Sequence, residues 1–171
     1  MLVLAMLLIA TGVQCSRPSG PQRMNTNRVE LKPGELPAGG AAIVVAAADA
    51  GATPAERYRS GARSGASLAA GRRLVALVRT GPLSTPDTCE VSDAARDGNT
   101  FRLTLDMRRY TGPISANVER ELLVEADLGA LSPGHYTVVV TTTALEFQDR
   151  QHPERTANPS KTEERIDFDV R

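Results

Sequence analysis

Tryptophan is absent from the chain, and only three phenylalanines and three tyrosines supply aromatic side chains in 171 residues. Surfaces that stack nucleobases usually depend on several aromatic faces, so this composition argues against such a surface. Neither sign of charge is in excess, because 20 Lys and Arg residues balance 20 Asp and Glu residues. Nucleic acids are bound through basic surfaces, and the sequence therefore predicts no nucleic-acid partner.

Histidine is also scarce, and no catalytic or metal-binding pattern is present. His135 follows a Pro-Gly pair, where we expect it to be exposed, and His152 lies beside a proline in a polar segment. Neither has cysteines or carboxylates at the spacing of zinc sites, and no serine lies in a Gly-x-Ser-x-Gly turn. The sequence therefore predicts a protein that is not an enzyme. It predicts no catalytic residue, metal site or cofactor, and no convergence of titratable side chains in a pocket.

No hydrophobic run reaches the length of about 20 residues that crosses a bilayer. The longest run, residues 2–10, fits the apolar region of a secretory signal peptide over residues 1–14, with small residues at 10–12 for cleavage. No Lys or Arg precedes the run, so a buried strand or helix is the alternative. The signal predicts an exported protein in the periplasm, in the outer envelope or outside the cell.

The two cysteines, Cys15 and Cys89, allow three interpretations. Cys15 lies where a bacterial lipoprotein carries its lipid anchor, although Gln14 replaces the small residue that usually precedes that cysteine. Alternatively, the two cysteines form a disulfide, which an oxidising compartment favours. In the third interpretation both are free thiols, and Cys89 is a small buried apolar residue. Residues 15–28 are polar and predict a flexible, disordered tether before a single domain over residues 29–171.

Apolar patterns predict a succession of β-strands. Residues 101–108 and 122–128 alternate apolar with polar side chains, as half-buried strands do. Residues 41–47 and 73–79 are continuous apolar runs typical of buried strands. Further predicted elements are a long central strand over residues 135–147 with a bulge near 141–143, a loop over 148–162 and a terminal strand over 166–170.

Turn and capping signals separate these strands. Thr53, Pro54 and Glu56 form the pattern of a capping box and predict one short helix. Gly81-Pro82 predicts the end of a strand, and residues 93–99 predict a hairpin turn because Asp-Gly tolerates positive φ. Short strands, frequent turns and a single helix predict an all-β sandwich of antiparallel strands, best supported over residues 70–171.

The segment Leu-Ser-Pro-Gly-His-Tyr at residues 131–136 resembles the tyrosine corner of immunoglobulin-like and fibronectin-III-like sandwiches. The resemblance implies that the Tyr136 hydroxyl bonds to the backbone a few residues upstream. It implies that Leu131 fills the core below the corner and that Pro133 and Gly134 shape the turn. The wider pattern Leu-Gly-x-Leu-x-Pro-Gly-x-Tyr, beginning at Leu128, is similar to β-sandwich modules of exported bacterial proteins.

The sequence favours one function and leaves an alternative. The favoured hypothesis is an exported, non-enzymatic, immunoglobulin-like module that contacts an unidentified protein partner at the cell envelope. It would touch the membrane only through a lipid anchor at Cys15. The alternative is a regulator, inhibitor or stabiliser, of an exported protease, because residues 75–85 resemble part of such proteins. Arg108, Arg109 and Tyr110 offer contacts to an anionic partner or, alternatively, form a solvated strand end.

Overall fold

The computed structural model describes residues 20–113, 119–151 and 159–171, so the predictions for the signal peptide, Cys15 and His152 lie outside the described residues. These ranges contain ten strands and one helix. In chain order the elements are β1 (Gln22–Arg23), β2 (Thr26–Leu31), β3 (Ile43–Ala47), α1 (Pro54–Ser60), β4 (Ala66–Leu68), β5 (Arg73–Ser84), β6 (Thr88–Asp97), β7 (Thr100–Tyr110), β8 (Glu119–Ala130), β9 (Gly134–Phe147) and β10 (Ser160–Val170).

The strands form two sheets that pack face to face. The six-stranded sheet has the order β1-β6-β7-β9-β10-β4, and the four-stranded sheet has the order β2-β8-β5-β3. The predicted all-β fold with one short helix is confirmed. The predicted antiparallel pairing is observed for six strand pairs of the described residues. It is wrong for two, because β7 pairs parallel with β9 and β10 pairs parallel with β4. Since β8 lies in the other sheet, the chain returns in β9 beside β7 and in the same direction.

Alternating side chains of both sheets build the main core. The inward residues of β7 and β8 are those that the alternation predicts: Phe101, Leu103, Leu105, Met107, Leu122, Val124, Ala126 and Leu128. On β10 the same holds for Ile166, Phe168 and Val170, each at most 3% exposed. The odd residues of β7 from 101 to 107 therefore point into the core, and its even residues point to the outer face of the six-stranded sheet.

A second apolar layer covers the outer face of the four-stranded sheet. Leu77 of β5 and Leu123 of β8 are fully buried there, in one cluster with Tyr58 of α1. The Arg57 guanidinium pairs with the Glu125 carboxylate of β8, with Nη2 and Oε2 2.8 Å apart. Because both faces of β5 are covered, its apolar run is continuous. Leu123 is buried for the same reason, although alternation places it on the polar face of β8.

Helix α1 begins where the capping signal predicts. The Glu56 N–H donates to Thr53 Oγ1 at 3.3 Å, and the Thr53 N–H donates to Glu56 Oε2 at 2.8 Å. The helix ends after seven residues at Gly61, where a Cβ atom would lie 2.8 Å from the Val44 side chain. No helix in the described ranges has the length and apolar character needed to cross a membrane.

The predicted end of the strand at Gly81-Pro82 is wrong. β5 continues to Ser84, with a shift in its register to β8 between Arg79 and Pro82. Proline donates no backbone hydrogen bond, and it is tolerated in strands at edges and irregular positions. Pro82 meets both conditions, because the pairing of β5 with β3 stops at Val78.

The hairpin after β6 is tighter than the predicted turn over residues 93–99. β6 continues to Asp97, so the turn consists of Gly98, with a φ of +57°, and Asn99. The predicted bulge at residues 141–143 is also wrong, since β9 keeps an unbroken register to both neighbours there. Within the six-stranded sheet the register shift occurs in β6 instead, between Val91 and Asp93.

Strands also occupy segments that the sequence predicts to be unstructured. β1 and β2 lie largely within residues 15–28, the predicted tether, and pair with β6 and β8. β10 begins at Ser160, inside the predicted loop over residues 148–162. The side chains in these stretches are mostly polar and exposed, so a hydrophobic pattern does not reveal their backbone pairing.

Candidate functional site

Tyr136 makes one hydrogen bond to the backbone and two aromatic contacts. Its hydroxyl donates a hydrogen bond to the Ser132 carbonyl at 2.9 Å. Its ring packs against those of Phe101 and Phe168, with centroids 6.2 and 5.7 Å away. Tyr136 is 4% exposed, so its hydroxyl has a protein partner in place of water. These contacts give Tyr136 a structural role at the entrance to β9.

The neighbouring corner residues also have structural roles. Leu131 is 3% exposed and belongs to the core between the sheets. Its carbonyl accepts a hydrogen bond from the Gly71 N–H at 3.3 Å. Pro133 precedes β9, which begins at Gly134. Tyr136 and Leu131 therefore fix the start of β9 and are themselves buried.

Cys89 lies in the core and not at the surface. It is 3% exposed, and desolvation by burial raises the pKa of its thiol to about 11. A thiol with a pKa in this range is a poor nucleophile at neutral pH. The Cys89 carbonyl accepts a hydrogen bond from Arg28 Nη1 at 2.7 Å. The interpretation of Cys89 as a small buried residue agrees with this position, whereas its predicted partner Cys15 lies outside the described residues.

His135 lies beside two carboxylates of β10. Its Nδ1 atom is 2.9 Å from Asp169 Oδ1, and its Nε2 atom is 3.9 Å from Asp167 Oδ1. The hydrogen bond with His135 lowers the pKa of Asp169, and hydrogen bonds from Arg165 and Thr137 lower the pKa of Asp167. The His135 side chain is 65% exposed, which confirms the prediction that it lies at the surface. Among the described residues, no three His, Cys, Asp or Glu side chains are arranged to hold a metal ion.

A cavity of about 780 Å³ lies on the outer face of the six-stranded sheet. Its volume falls within the range of known small-ligand sites, which runs from about 300 to 1,000 Å³. Both charged and apolar side chains line it: Pro86, Thr88, Glu90, Asp106, Arg108, Leu145, Phe147 and Arg150. We name this feature the sheet cavity, and it is the candidate functional site.

Strand register explains how these side chains come together. Cys89 and Met107 point into the core, so their neighbours on β6 and β7 point outward into the sheet cavity. Across the strands, Glu90 lies opposite Asp106, and Thr88 lies opposite Arg108. On the other side of β7, Arg108 is level with Leu145, and Tyr110 is level with Phe147.

The end of the cavity at Phe147 is aromatic. The rings of Tyr110 and Phe147 lie 5.5 Å apart at a tilt of 56°, a favourable geometry for aromatic pairs. The Arg150 guanidinium lies 4.6 Å from the centre of the Tyr110 ring, within the distance of a cation–π contact. This contact places the Arg150 guanidinium at the aromatic end of the cavity.

Asp87 holds the rim of the cavity in place. It is 7% exposed, and its two carboxylate oxygens accept hydrogen bonds from backbone N–H groups. Oδ1 accepts from Tyr110 at 2.7 Å, and Oδ2 accepts from Ser84 at 2.9 Å. Asp87 thus connects the turn that carries Pro86 to the end of β7. It is a positioning residue, since its own oxygens are occupied by the backbone.

The opposite end of the cavity is acidic. Glu90 and Asp106 are exposed and lie directly opposite each other on neighbouring strands. Like charges in this arrangement destabilise a sheet. Within the described ranges, neither carboxylate forms an ion pair with an Arg, Lys or His side chain. The cavity therefore carries negative charge at one end and two guanidinium groups, Arg108 and Arg150, nearer the other.

The prediction that no titratable side chains converge in a pocket is wrong. Glu90, Asp106, Arg108 and Arg150 all line the sheet cavity. The sequence assigns Arg108 to the polar face of its strand, but it does not show which strands become neighbours. The sequence does contain one signal for an apolar site on this face. Alternation places Leu145 and Phe147 on the side of β9 that points away from the core.

No known protein family, curated protein or solved structure matches this chain. The lining residues and their placement are therefore the basis for a functional interpretation. Exposed carboxylates, guanidinium groups and a partly apolar floor supply ion pairs, hydrogen bonds and apolar contacts to a bound molecule.

Proposed function

We propose that this protein is an exported, non-enzymatic binding module that contacts a protein partner at the cell envelope through the sheet cavity. The observation that carries the proposal is the combination of Leu145 and Phe147 with charged walls on the outer face of the six-stranded sheet. The corresponding face of the other sheet is packed under α1. A recessed apolar floor with charged surroundings is a common form of protein recognition site.

The corner contacts support an immunoglobulin-like type of sandwich for this module. The hydrogen bond from Tyr136 to Ser132 is of the kind found at the corner of that family. The parallel pairing of β7 with β9 differs from the antiparallel arrangement that the sequence predicts. The fold type by itself implies no particular partner, so the binding proposal depends on the cavity.

Export and membrane attachment belong to the same proposal. The apolar residues 2–10 support a signal peptide, and Cys15 follows at the position of a lipid anchor. Cys89 packs in the core between the sheets. A disulfide brings two Cβ atoms to about 4 Å, so a bridge would require Cys15 to enter that core. The burial of Cys89 therefore favours a free thiol at this position over the disulfide, and a free Cys15 is what a lipid anchor requires.

Site-specific photo-crosslinking in cells tests the binding proposal. A photoreactive amino acid at Thr88, on the cavity rim, is compared with one at Lys32, which is exposed after β2. We expect a discrete cross-linked protein from the Thr88 position that is lost when Leu145→Asp is added. Equal cross-linking from both positions would contradict the proposal. An exported protease as the cross-linked partner would identify the protein as a protease regulator.

A reporter fusion tests export independently of binding. Residues 1–28 are fused to a phosphatase that becomes active only outside the cytoplasm. We expect activity from this fusion and none after deletion of residues 2–10. Incorporation of a labelled fatty acid that is abolished by Cys15→Ser then tests the lipid anchor. An inactive fusion would contradict export.

A further inference from the structure

We propose that the sheet cavity binds an extended peptide segment in which a basic, an apolar and an acidic side chain occupy alternate positions. The inference rests on the proposed binding function and names the chemistry of the partner. Its basis is the order of three rows of side chains that follow one another along β7. The first row is acidic (Glu90 and Asp106), the second is mixed (Arg108 and Leu145), and the third combines aromatic rings with a guanidinium group (Tyr110, Phe147 and Arg150).

The spacing of the rows matches an extended peptide. The outward residues Asp106, Arg108 and Tyr110 follow one another on β7. Residues two apart on a strand are separated by about 6.7 Å, so the three rows span about 13 Å. The alternate side chains of an extended five-residue segment have the same spacing. Three side chains of such a segment can therefore enter the three rows in order.

The acidic row fits a basic side chain. Glu90 and Asp106 face each other and repel, and a lysine or arginine between them would pair with both and reduce that repulsion. Thr143 of β9 is level with Asp106 in the same row and offers a hydroxyl. Charge complementarity of this kind contributes mainly to the specificity of binding.

The middle row fits an apolar side chain. Leu145 lies level with Arg108 and is half-buried, so part of its surface remains open to the cavity. The methylene groups of Arg108 add apolar surface, because long basic side chains present an aliphatic stem below the charged group. An aliphatic residue placed here gains contact with both.

The third row fits a carboxylate. Phe147 lines its base and packs against Tyr110, and the Arg150 guanidinium lies over the Tyr110 ring. A guanidinium group held by an aromatic ring presents its N–H donors in its own plane, where a carboxylate binds in a bidentate manner. Arg108, one row away, contributes positive charge to the same end.

Binding of defined peptides to the purified full chain tests the inference. The probe is a blocked pentapeptide with the sequence lysine–serine–leucine–serine–glutamate. One control replaces the lysine with glutamate, and a second replaces the leucine with serine. Amide chemical shifts in NMR titrations report both the affinity and the location. We expect shifts at residues 88–90, 106–110 and 145–147, with about fivefold weaker binding of each control peptide.

A charge reversal makes the test independent of the overall affinity. In Glu90→Lys/Asp106→Lys both altered side chains are exposed, so we expect the spectrum to remain that of a folded protein. This variant should prefer the control peptide with glutamate at the first position. Equal binding of all three peptides by the parent chain would overturn the inference, as would shifts located outside the cavity. If the peptides fail while cross-linking from Thr88 persists, the partner chemistry is wrong and the binding function stands.

Discussion

The Tyr136 hydroxyl is held 2.9 Å from the Ser132 carbonyl, four residues upstream in the chain. The bond joins β9, which carries the floor of the sheet cavity, to the turn that precedes it. The Tyr136 ring also packs on Phe168 of β10. A single side chain thus connects the corner, the core and the strand on which Leu145 and Phe147 lie.

Removal of the Tyr136 hydroxyl should destabilise the fold. In Tyr136→Phe the ring packing remains, but the Ser132 carbonyl loses its partner beside a largely buried side chain. Loss of such a hydrogen bond costs about 1–3 kcal/mol. The measurement is the free energy of unfolding from urea titrations monitored by circular dichroism.

Tyr110→Phe is the matched control for this substitution. The Tyr110 hydroxyl donates to the Pro113 carbonyl at 3.1 Å, but this bond is exposed to solvent. Water can replace the hydroxyl there, so we expect a change within about 0.5 kcal/mol. Equal unfolding free energies for Tyr136→Phe and the parent protein would show that the corner bond does not stabilise the sandwich.

Substitution of Asp87 should weaken the rim of the sheet cavity and the fold together. Asp87→Ala leaves the backbone N–H groups of Ser84 and Tyr110 without acceptors, and each unpaired buried donor costs about 1–3 kcal/mol. Asp87→Asn retains one acceptor oxygen and should be intermediate. Thermal unfolding of the three proteins gives the order, and an Asp87→Ala protein as stable as the parent would contradict this role.

The fold could be predicted from the sequence where one face of a strand is buried and the other is exposed to solvent. The alternation of Phe101, Leu103, Leu105 and Met107 identifies β7 and its core face correctly. Leu123 defeats the same rule, because α1 covers the second face of its sheet. Periodicity reports burial, and burial on both faces depends on elements that are distant in the sequence.

The candidate site depends on neighbour relations that the sequence does not contain. Alternation places Arg108 outward on β7 and Leu145 outward on β9. Their meeting requires the parallel pairing of these two strands, which follows only from the passage of β8 through the other sheet. Glu90 and Asp106 become opposed through a register that a shift in β6 sets. Sequence patterns therefore identify the groups but not their convergence.

Acid should remove the contribution of Asp127 to stability. Its hydrogen bond with Arg73 lowers the pKa of the Asp127 carboxyl below the ordinary value of 3.8. The folded state therefore binds its proton less tightly than the unfolded state does. The resulting stabilisation is present above about pH 3.8 and is lost as the pH falls through the lower, folded-state pKa.

The comparison of Asp127→Asn with the parent protein measures this effect. We expect the variant to be less stable at neutral pH and the difference to shrink as the pH falls below about 4. Asp93→Asn, at an exposed position on β6, is the control and should show little difference at any pH. A difference for Asp127→Asn that stays constant from neutral pH to pH 2 would exclude the proposed origin.

Cys89 should resist thiol reagents until the protein unfolds. Because the pKa of the Cys89 thiol is about 11, only about one molecule in a thousand carries the thiolate at pH 8. The thiolate is the form that reacts. Burial at 3% exposure further limits access. The reaction of Cys15→Ser with a chromogenic disulfide reagent isolates Cys89, because the chain has no other cysteine.

The same shift predicts the direction of the response of Cys89 to alkali. Its pKa is raised on folding, so its contribution to stability is complete below the ordinary thiol value of 9.0 and is lost as the pH rises towards about 11. Cys89→Ala lacks this titration and should lose less stability over that interval, which urea unfolding at each pH measures.

For the labelling experiment, the denatured Cys15→Ser protein provides the reference rate. Equally fast labelling of the native protein would show that Cys89 is accessible, and would restore the disulfide with Cys15 as a competing interpretation.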